Sequence, residues 1–363
     1  MRAFYKKSKS QHSTPQDIQR FKQAWAQYQA SVGKARREAT ENFCKSETNA
    51  FGKSKQMAFA KYLDSTLEIF PGMLGFEGSS RFDILKHLTA TLFGPSKQEH
   101  SINPTECTNK EPDFKYMEVR RAIFSFNANK APRPDGVDHF MLRELFHRLP
   151  HTFLNIYNTL LSLNYFPQAW KLGKLVYFKK DGKPSNIEKS YRLITLLPVL
   201  GKVFEKIILT RIHHSILISN SLSGKQHGFL PGKSTETALT HVLSLIDLNK
   251  MNSKYTSLIS IDFESAFDNL PWEKSIRVLS NLTIPHSFIS ILSSFLSDRS
   301  AQVDWQNPSY IHHFFKGCPQ GSCLGPFLWL AILETLLSQD LSCGSSLVAY
   351  AEDLLLIVSS ESR

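Results

Sequence analysis

Residues 347–358 read LVAYAEDLLLIV, two adjacent acids between two apolar runs. Burying carboxylates is costly unless something pairs them. An apolar run, two acids and a second apolar run, uninterrupted by Gly or Pro, predict two strands joined by a tight hairpin with Glu352 and Asp353 at its tip. Upstream, residues 257–272 read SLISIDFESAFDNLPW. Here a short apolar strand over 258–261 ends on Asp262, and a helix is expected soon after Pro271. If the two strand ends are neighbours, three carboxylates meet, and they cannot all stay ionised without cations. Oxygen ligands with no His or Cys among them point to Mg²⁺, with Mn²⁺ as the substitute. Two such ions about 3.5–4 Å apart can drive in-line phosphoryl displacement.

Cations for such a reaction lie in a second predicted hairpin. KLVYFKKDGKP (174–184) is an apolar run followed by Asp181-Gly182, and YRLITLL (191–197) is the returning strand. Lys179, Lys180 and Arg192 would then share a face and neutralise a triphosphate. A surface hairpin with incidental lysines reads equally well from these residues alone. GFLPGKSTETAL (228–239) contains GKST, yet Gly228 and Gly232 enclose three residues where a phosphate-binding P-loop needs four. The segment instead begins a helix that runs to about residue 248. GCPQGSCLGPFLWLAILETLL (317–337) is a Gly-rich turn entering a long apolar helix, with Pro326 in its first turns.

The chain has 363 residues, 42% hydrophobic and 21% charged, the balance of a globular protein with more than one structural unit. No apolar run approaches the roughly 18–20 residues that span a bilayer, and the basic start MRAFYKKSKSQHST lacks the apolar core of a signal peptide. These features predict an intracellular protein without a membrane partner, in nucleus or cytoplasm alike. Cys44, Cys107, Cys318, Cys323 and Cys343 form no CxxC pair, which argues against a zinc site and for reduced packing residues. The net charge is +11, and residues 1–64 hold 13 Lys and Arg against 5 Asp and Glu. A basic end interleaved with Phe21, Trp25 and Tyr28 suits a polyanion, although a solvated helical face explains it as well. Residues 14–62 read as helical, with Thr14 as N-cap and Pro15 at the first helical position. Residues 94–112, GPSKQEHSINPTECTNKEP, read as a linker. The predicted organisation is a basic helical region over 1–110 and a catalytic-type domain over 111–363.

Taken together, these segments resemble the reverse transcriptases of non-LTR retrotransposons, especially arthropod elements of the jockey and R1 kind. The resemblance runs in order from about Met117 to Ile357. KAPRPDG (130–136) is similar to the family's K-x-P-G-P-D-G. YRLITLLPVLGKVFEKIILTRI (191–212) is similar to its Y-R-P-I-S-L and K-x-x-E-K-x-x-x-x-R-L segments, and QHGFLPGKST (226–235) to Q-x-G-F with its following helix. DFESAFD (262–268) resembles the palm strand motif, GCPQGSCLGP (317–326) G-x-P-Q-G-S-x-L-S-P, and YAED (350–353) Y-A-D-D.

The resemblance implies an α+β fold, the fingers and palm of a right-hand polymerase behind a mainly helical basic extension, with the thumb absent. It implies RNA-templated DNA synthesis from a DNA primer and dNTPs. Asp262, Glu352 and Asp353 match the catalytic, metal-binding carboxylates, and Phe267 the position that excludes a ribose 2′-hydroxyl by bulk. Gln320 and Gly321 match residues lining the nucleotide, Arg192 and Lys179 triphosphate contacts, and Gln226, Gly228 and Phe229 template and primer contacts. Glu352 stands where Asp is usual, Leu193 where Pro is, Arg133 where Gly is and Gly325 where Ser is. A chain with Glu352 and no thumb is expected to turn over poorly. The alternative is therefore a non-catalytic nucleic-acid-binding remnant of a retrotransposon polyprotein.

Overall fold

The computed structural model describes residues 14–16, 19–20, 22–24, 26–27, 81–94, 111–128, 135–180, 182, 184, 187, 190–219, 222–303, 310–342 and 344–361. The chain divides into two units, Met1–Tyr62 and Leu63–Arg363. In the first, the described residues after Thr14 are helical, in line with the Thr-Pro start. Cys44, Cys107, Cys343 and Arg133 lie outside the described residues. Cys318 and Cys323 are free thiols.

The second unit is α+β. Its helices are α1 (Arg81–Phe93), α2 (Tyr116–Ser125), α3 (His139–Arg148), α4 (Pro150–Ser162), α5 (Gln168–Lys171), α6 (Val199–Ser219), α7 (Thr235–Met251), α8 (Trp272–Asn281), α9 (His286–Leu296) and α10 (Gly325–Leu337). Its strands are β1 (Leu172–Lys179), β2 (Tyr191–Leu196), β3 (Tyr255–Asp262), β4 (Ser300–Val303), β5 (Tyr310–His313), β6 (Ser345–Tyr350) and β7 (Asp353–Ser360). They form two sheets, β2-β1-β4-β5 and β3-β7-β6. Among the described residues no helix is long and apolar enough to cross a membrane.

Helix α6 is the spine. It buries Val203, Phe204, Ile207, Ile208, Ile212 and Ile216 against the core and leaves Thr210, His214, Leu217 and Ile218 exposed. Phe204 stacks on Tyr157 at 5.7 Å and touches Phe114, Phe166 and Trp170, one ring from each of several surrounding segments. The same core cluster takes in Leu85, Leu88 and Phe93 of α1 and the apolar face of α9.

In the first sheet, β1 and β2 pair antiparallel from Lys174↔Leu196 to Lys179↔Tyr191. The ladder continues one step, with Lys180 N–H donating to Ser190 O at 2.8 Å. The predicted pairing of the two strands therefore forms, while Asp181 lies outside the described residues. Along β2 burial alternates, so Tyr191 and Leu193 face inward and Arg192 outward.

The second sheet carries the acids. β3 and β7 pair antiparallel from Tyr255↔Ser360 to Asp262↔Asp353, and β6 and β7 from Ser345↔Val358 to Tyr350↔Asp353. β3, the apolar strand that ends on Asp262, is the sheet's edge, and Leu258 and Ile259 are about half exposed. An apolar run of four reads the same at an edge as in a centre, because periodicity reports side-chain type and not the number of neighbours. Helix α10 covers one face of this sheet through Leu333 and Leu337 against Leu347, Ala349 and Leu354. Helix α7 lies against β3 and β6 and buries none of its own residues.

Candidate active site

β6 and β7 form the expected tight hairpin, but the two residues that join them are Ala351 and Glu352, so the turn falls one residue before the acid pair and Asp353 opens β7. Ala351 has φ +55°, a conformation that two-residue hairpin turns require and that glycine usually supplies. The turn puts Asp353 at the first position of β7, directly across from Asp262 at the last position of β3. Residues opposite each other in a ladder point to the same face, with Cβ atoms about 5 Å apart. Both carboxylates are exposed, as is Glu352 beside them. None of the three has a side-chain hydrogen bond or ion pair among the described residues. Those residues hold no group of three or more His, Cys, Asp or Glu side chains gathered as a ligand set. The structure thus sets Asp262 and Asp353 opposite each other in the ladder, with Glu352 in the turn beside Asp353. Two neighbouring, uncompensated carboxylates with oxygen donors only still fit a hard divalent cation.

Three other segments buttress the turn. Residues 225–228 extend the sheet past β6. Ala349 N–H donates to Lys225 O at 2.9 Å, His227 N–H to Ala349 O at 2.8 Å, and Gln226 bridges Ala349 in parallel. This brings Gly228 onto the turn, where a Cβ would lie 2.1 Å from Ala351 N. Only glycine permits so close an approach. Helix α10 supplies Trp329, whose indole Nε1 donates to Ala351 O at 3.2 Å. Finally, the segment after β3 is fastened to the Gly-rich turn. Gly317 N–H donates to Leu270 O at 2.7 Å and Cys318 N–H to Phe267 O at 2.8 Å, and Trp272 Nε1 reaches Gly317 O at 2.7 Å.

A cleft of about 580 Å³ opens between these parts, in the size range of small-ligand sites. Of the residues singled out in the sequence, Asp262, Glu352, Phe267, Gln320, Gly321, Arg192 and Phe229 line it. Asp353, Gln226 and Gly228 do not, and the side chain of Lys179 lies outside the described residues. The backbone of Lys179 pairs with Tyr191, next to Arg192. Gln226 is fully buried, and its Oε1 accepts from Gly228 N at 2.6 Å, so it braces the segment that seats Gly228 and Phe229. Gly321 has φ +129°, and a Cβ there would meet Thr195 O at 2.7 Å. Thr195 N–H also donates to Gln320 O at 2.9 Å. The Gln320–Gly321 pair is therefore pinned flat against β2.

Two positions at or behind the cleft escaped the sequence reading. Asp268, the last residue of DFESAFD, lines the cleft and accepts from Gln320 Nε2 at 3.2 and 3.4 Å. Burial pushes its carboxyl up to about 6, against the pull of Gln320 and of Lys180 and Lys316 nearby. Glu205 lies inside α6 and is fully buried. It accepts from Ser322 Oγ at 2.6 Å, Cys323 N at 2.6 Å and Leu324 N at 3.3 Å. Burial raises its pKa, opposed by these donors and by the buried Arg299. An anion at the start of α10 suits the partial positive charge of a helix N-terminus. An acid inside an apolar helical run was the available signal, since such a residue must find donors.

The fold and this cleft define the class: the fingers and palm of a right-hand polymerase, with the acidic hairpin in the palm and the β1–β2 hairpin in the fingers. A family model described as "Reverse transcriptase (RNA-dependent DNA polymerase)" matches residues 178–363, more than half of the sequence, and the chain belongs to that family. Its curated homologues are polymerases of non-LTR retrotransposons. It is 31% identical over 253 residues to the 115 kDa protein of the type-1 retrotransposable element R1DM of Drosophila melanogaster, covering 69% of this chain and 24% of that protein. It is 30% identical over 213 residues to the RNA-directed DNA polymerase from mobile element jockey of Drosophila melanogaster, covering 58% of this chain and 23% of that protein. The chain thus spans about a quarter of the length of these relatives. Among solved structures, telomerase from Candida tropicalis with a fragment of telomeric RNA aligns with a TM-score of 0.41 at 14% identity, over 62% of this chain and 41% of that one.

Proposed function

We propose that this chain is the fingers and palm of an RNA-directed DNA polymerase of a non-LTR retrotransposon, which extends a DNA primer on an RNA template with dNTPs. The observation that carries the reading is the Asp262–Asp353 pair across the β3–β7 ladder, with Asp262 and Glu352 lining a cleft whose other walls carry Arg192, Phe267 and Gln320. Asp262 and Asp353, with Glu352 beside them, would hold Mg²⁺. When bound, the metal supplies activation of the primer 3′-oxygen and charge stabilisation at the phosphorus.

The chain's own residues do the rest. Arg192 faces outward from β2 into the cleft and offers a planar fork of donors to a triphosphate. Phe267 walls the sugar side, where its bulk opposes a 2′-hydroxyl. Gln320 is oriented by Asp268 and Thr195, so its carboxamide is fixed before a nucleotide arrives. Phe229, half exposed at the cleft, offers a ring face for a base to stack on.

Glu352 in the turn, where the resemblance has Asp, favours a second reading, a nucleic-acid-binding remnant without turnover. Primer extension on an RNA template in Mg²⁺, repeated with Asp262→Asn, decides between the two. Extension abolished by the substitution supports polymerisation. RNA binding with a steep salt dependence and no extension by the wild type supports the remnant.

A further inference from the structure

Trp329 stands on the second turn of α10 and is almost fully buried. Its indole N–H holds the carbonyl of Ala351, the residue that sets the turn before Glu352 and Asp353. Its ring meets Phe263, the residue after Asp262, at 5.2 Å and 72°. It also meets Phe267 at 6.3 Å and 48°. Phe267 in turn meets Phe229 edge-on at 6.1 Å. One side chain therefore touches the acidic turn, the end of the Asp262 strand and the ring on the sugar side of the cleft. Buried tryptophans seek a partner for the indole N–H, and a carbonyl of the neighbouring core would satisfy it. Here the acceptor is the carbonyl of a non-glycine residue held at positive φ, a conformation that persists only where its surroundings over-determine it.

Resting on the polymerase reading above, we infer that Trp329 is a positioning residue that sets the acidic turn against the Asp262 strand through its N–H and the angle of Phe267 through its ring. The two roles separate by substitution. Trp329→Phe keeps an aromatic ring against Phe263 and Phe267 and deletes the N–H. It should lower kcat for primer extension roughly tenfold while leaving the dNTP KM within about twofold, because only the carboxylates move. Trp329→Leu removes the ring as well, and should also reduce the preference for dNTPs over rNTPs by roughly tenfold.

Hydrogen exchange of the 350–354 amides in metal-free protein reads the same positioning without catalysis. Trp329→Phe should speed that exchange about tenfold while amides of α6 keep their protection. Unchanged exchange at the turn would overturn the inference, as would a uniform rise across the fold, since either result makes Trp329 a packing residue alone. A wild type that fails to extend primers would count against the polymerase reading and leave the exchange result to decide the role of Trp329.

Discussion

Replacing Gly228 with alanine should slow the reaction about 100-fold in a chain that still folds. The added Cβ would lie 2.1 Å from Ala351 N, 2.6 Å from its Cα and 3.1 Å from its Cβ. Carbon contacts are comfortable near 3.5 Å, so the two backbones must part by more than about 1 Å. Residues 225–228 cannot retreat freely, because Lys225 and His227 are hydrogen-bonded to Ala349 on either side of the bridge. The displacement goes into the two-residue turn that carries Glu352 and delivers Asp353. Misplacing reacting groups by about 1 Å costs on the order of 100-fold in rate, or roughly 2.7 kcal/mol of barrier. Overpacking one methyl costs the fold about 1–3 kcal/mol. Single-turnover primer extension at saturating dNTP, with the melting temperature taken on the same sample, measures both. The dNTP KM should change by less than about twofold, because Arg192 and Gln320 sit on other segments. A folded Gly228→Ala chain that extends at the wild-type rate would refute the claim that this glycine fixes the turn.

Asp268→Asn tests the buried carboxyl in the cleft. Its pKa is about 6 in the folded chain against 3.8 for an unperturbed group, so the folded state binds the proton more tightly and stability falls as pH rises between about 4 and 6. The variant should be more stable by up to about 3 kcal/mol at pH 7.5 and no more stable below pH 4, read by urea denaturation across that range. Glu205→Ala strands the donors of Ser322, Cys323 and Leu324 and leaves buried Arg299 without its counter-charge. A loss of roughly 3–5 kcal/mol in the same assay is expected, and a loss under 1 would show that the carboxylate matters little. Ala351→Gly relieves the positive φ and should stabilise the metal-free chain by about 1 kcal/mol in thermal melts, without faster primer extension.

How legible the fold was depended on the range of the interactions that make each element. The acidic hairpin was legible because its two strands and two-residue turn are contiguous, and a two-residue loop leaves one register. The β1–β2 hairpin was legible in its pairing, while its turn was not, because Asp181-Gly182 marks a break and not where the ladder stops. The α+β class and the fingers-and-palm layout followed from motif order. What could not be read was anything that depends on who packs where. Gln226 gave no sign that it is buried and bonded to the Gly228 amide. Glu205 and Ser322 are 117 residues apart and meet only after α6 and α10 dock.

The distribution of strain shows where this fold departs from stability alone. Six non-glycine residues among those described have positive φ: Asn164, Phe229, Ser253, Ser265, Asp298 and Ala351. Asn164, Ser253 and Asp298 follow helices and have short polar side chains, which tolerate that conformation and end helices cheaply. Phe229 and Ala351 have no such excuse: one carries an aromatic ring, the other a bare methyl with no hydrogen bond to offer. Ser265 lies in the loop just after Asp262 and lines the cleft with Phe229. The directly opposed like charges of Asp262 and Asp353, the glycine contact at 228 and the turn at Ala351 occur at the same end of the palm sheet. Each costs the fold, and random drift would scatter such defects over helices and loops alike. Their convergence at one end of one sheet is what a site held in place for chemistry requires, because the surrounding core is stable enough to carry local conformations that each segment alone would abandon.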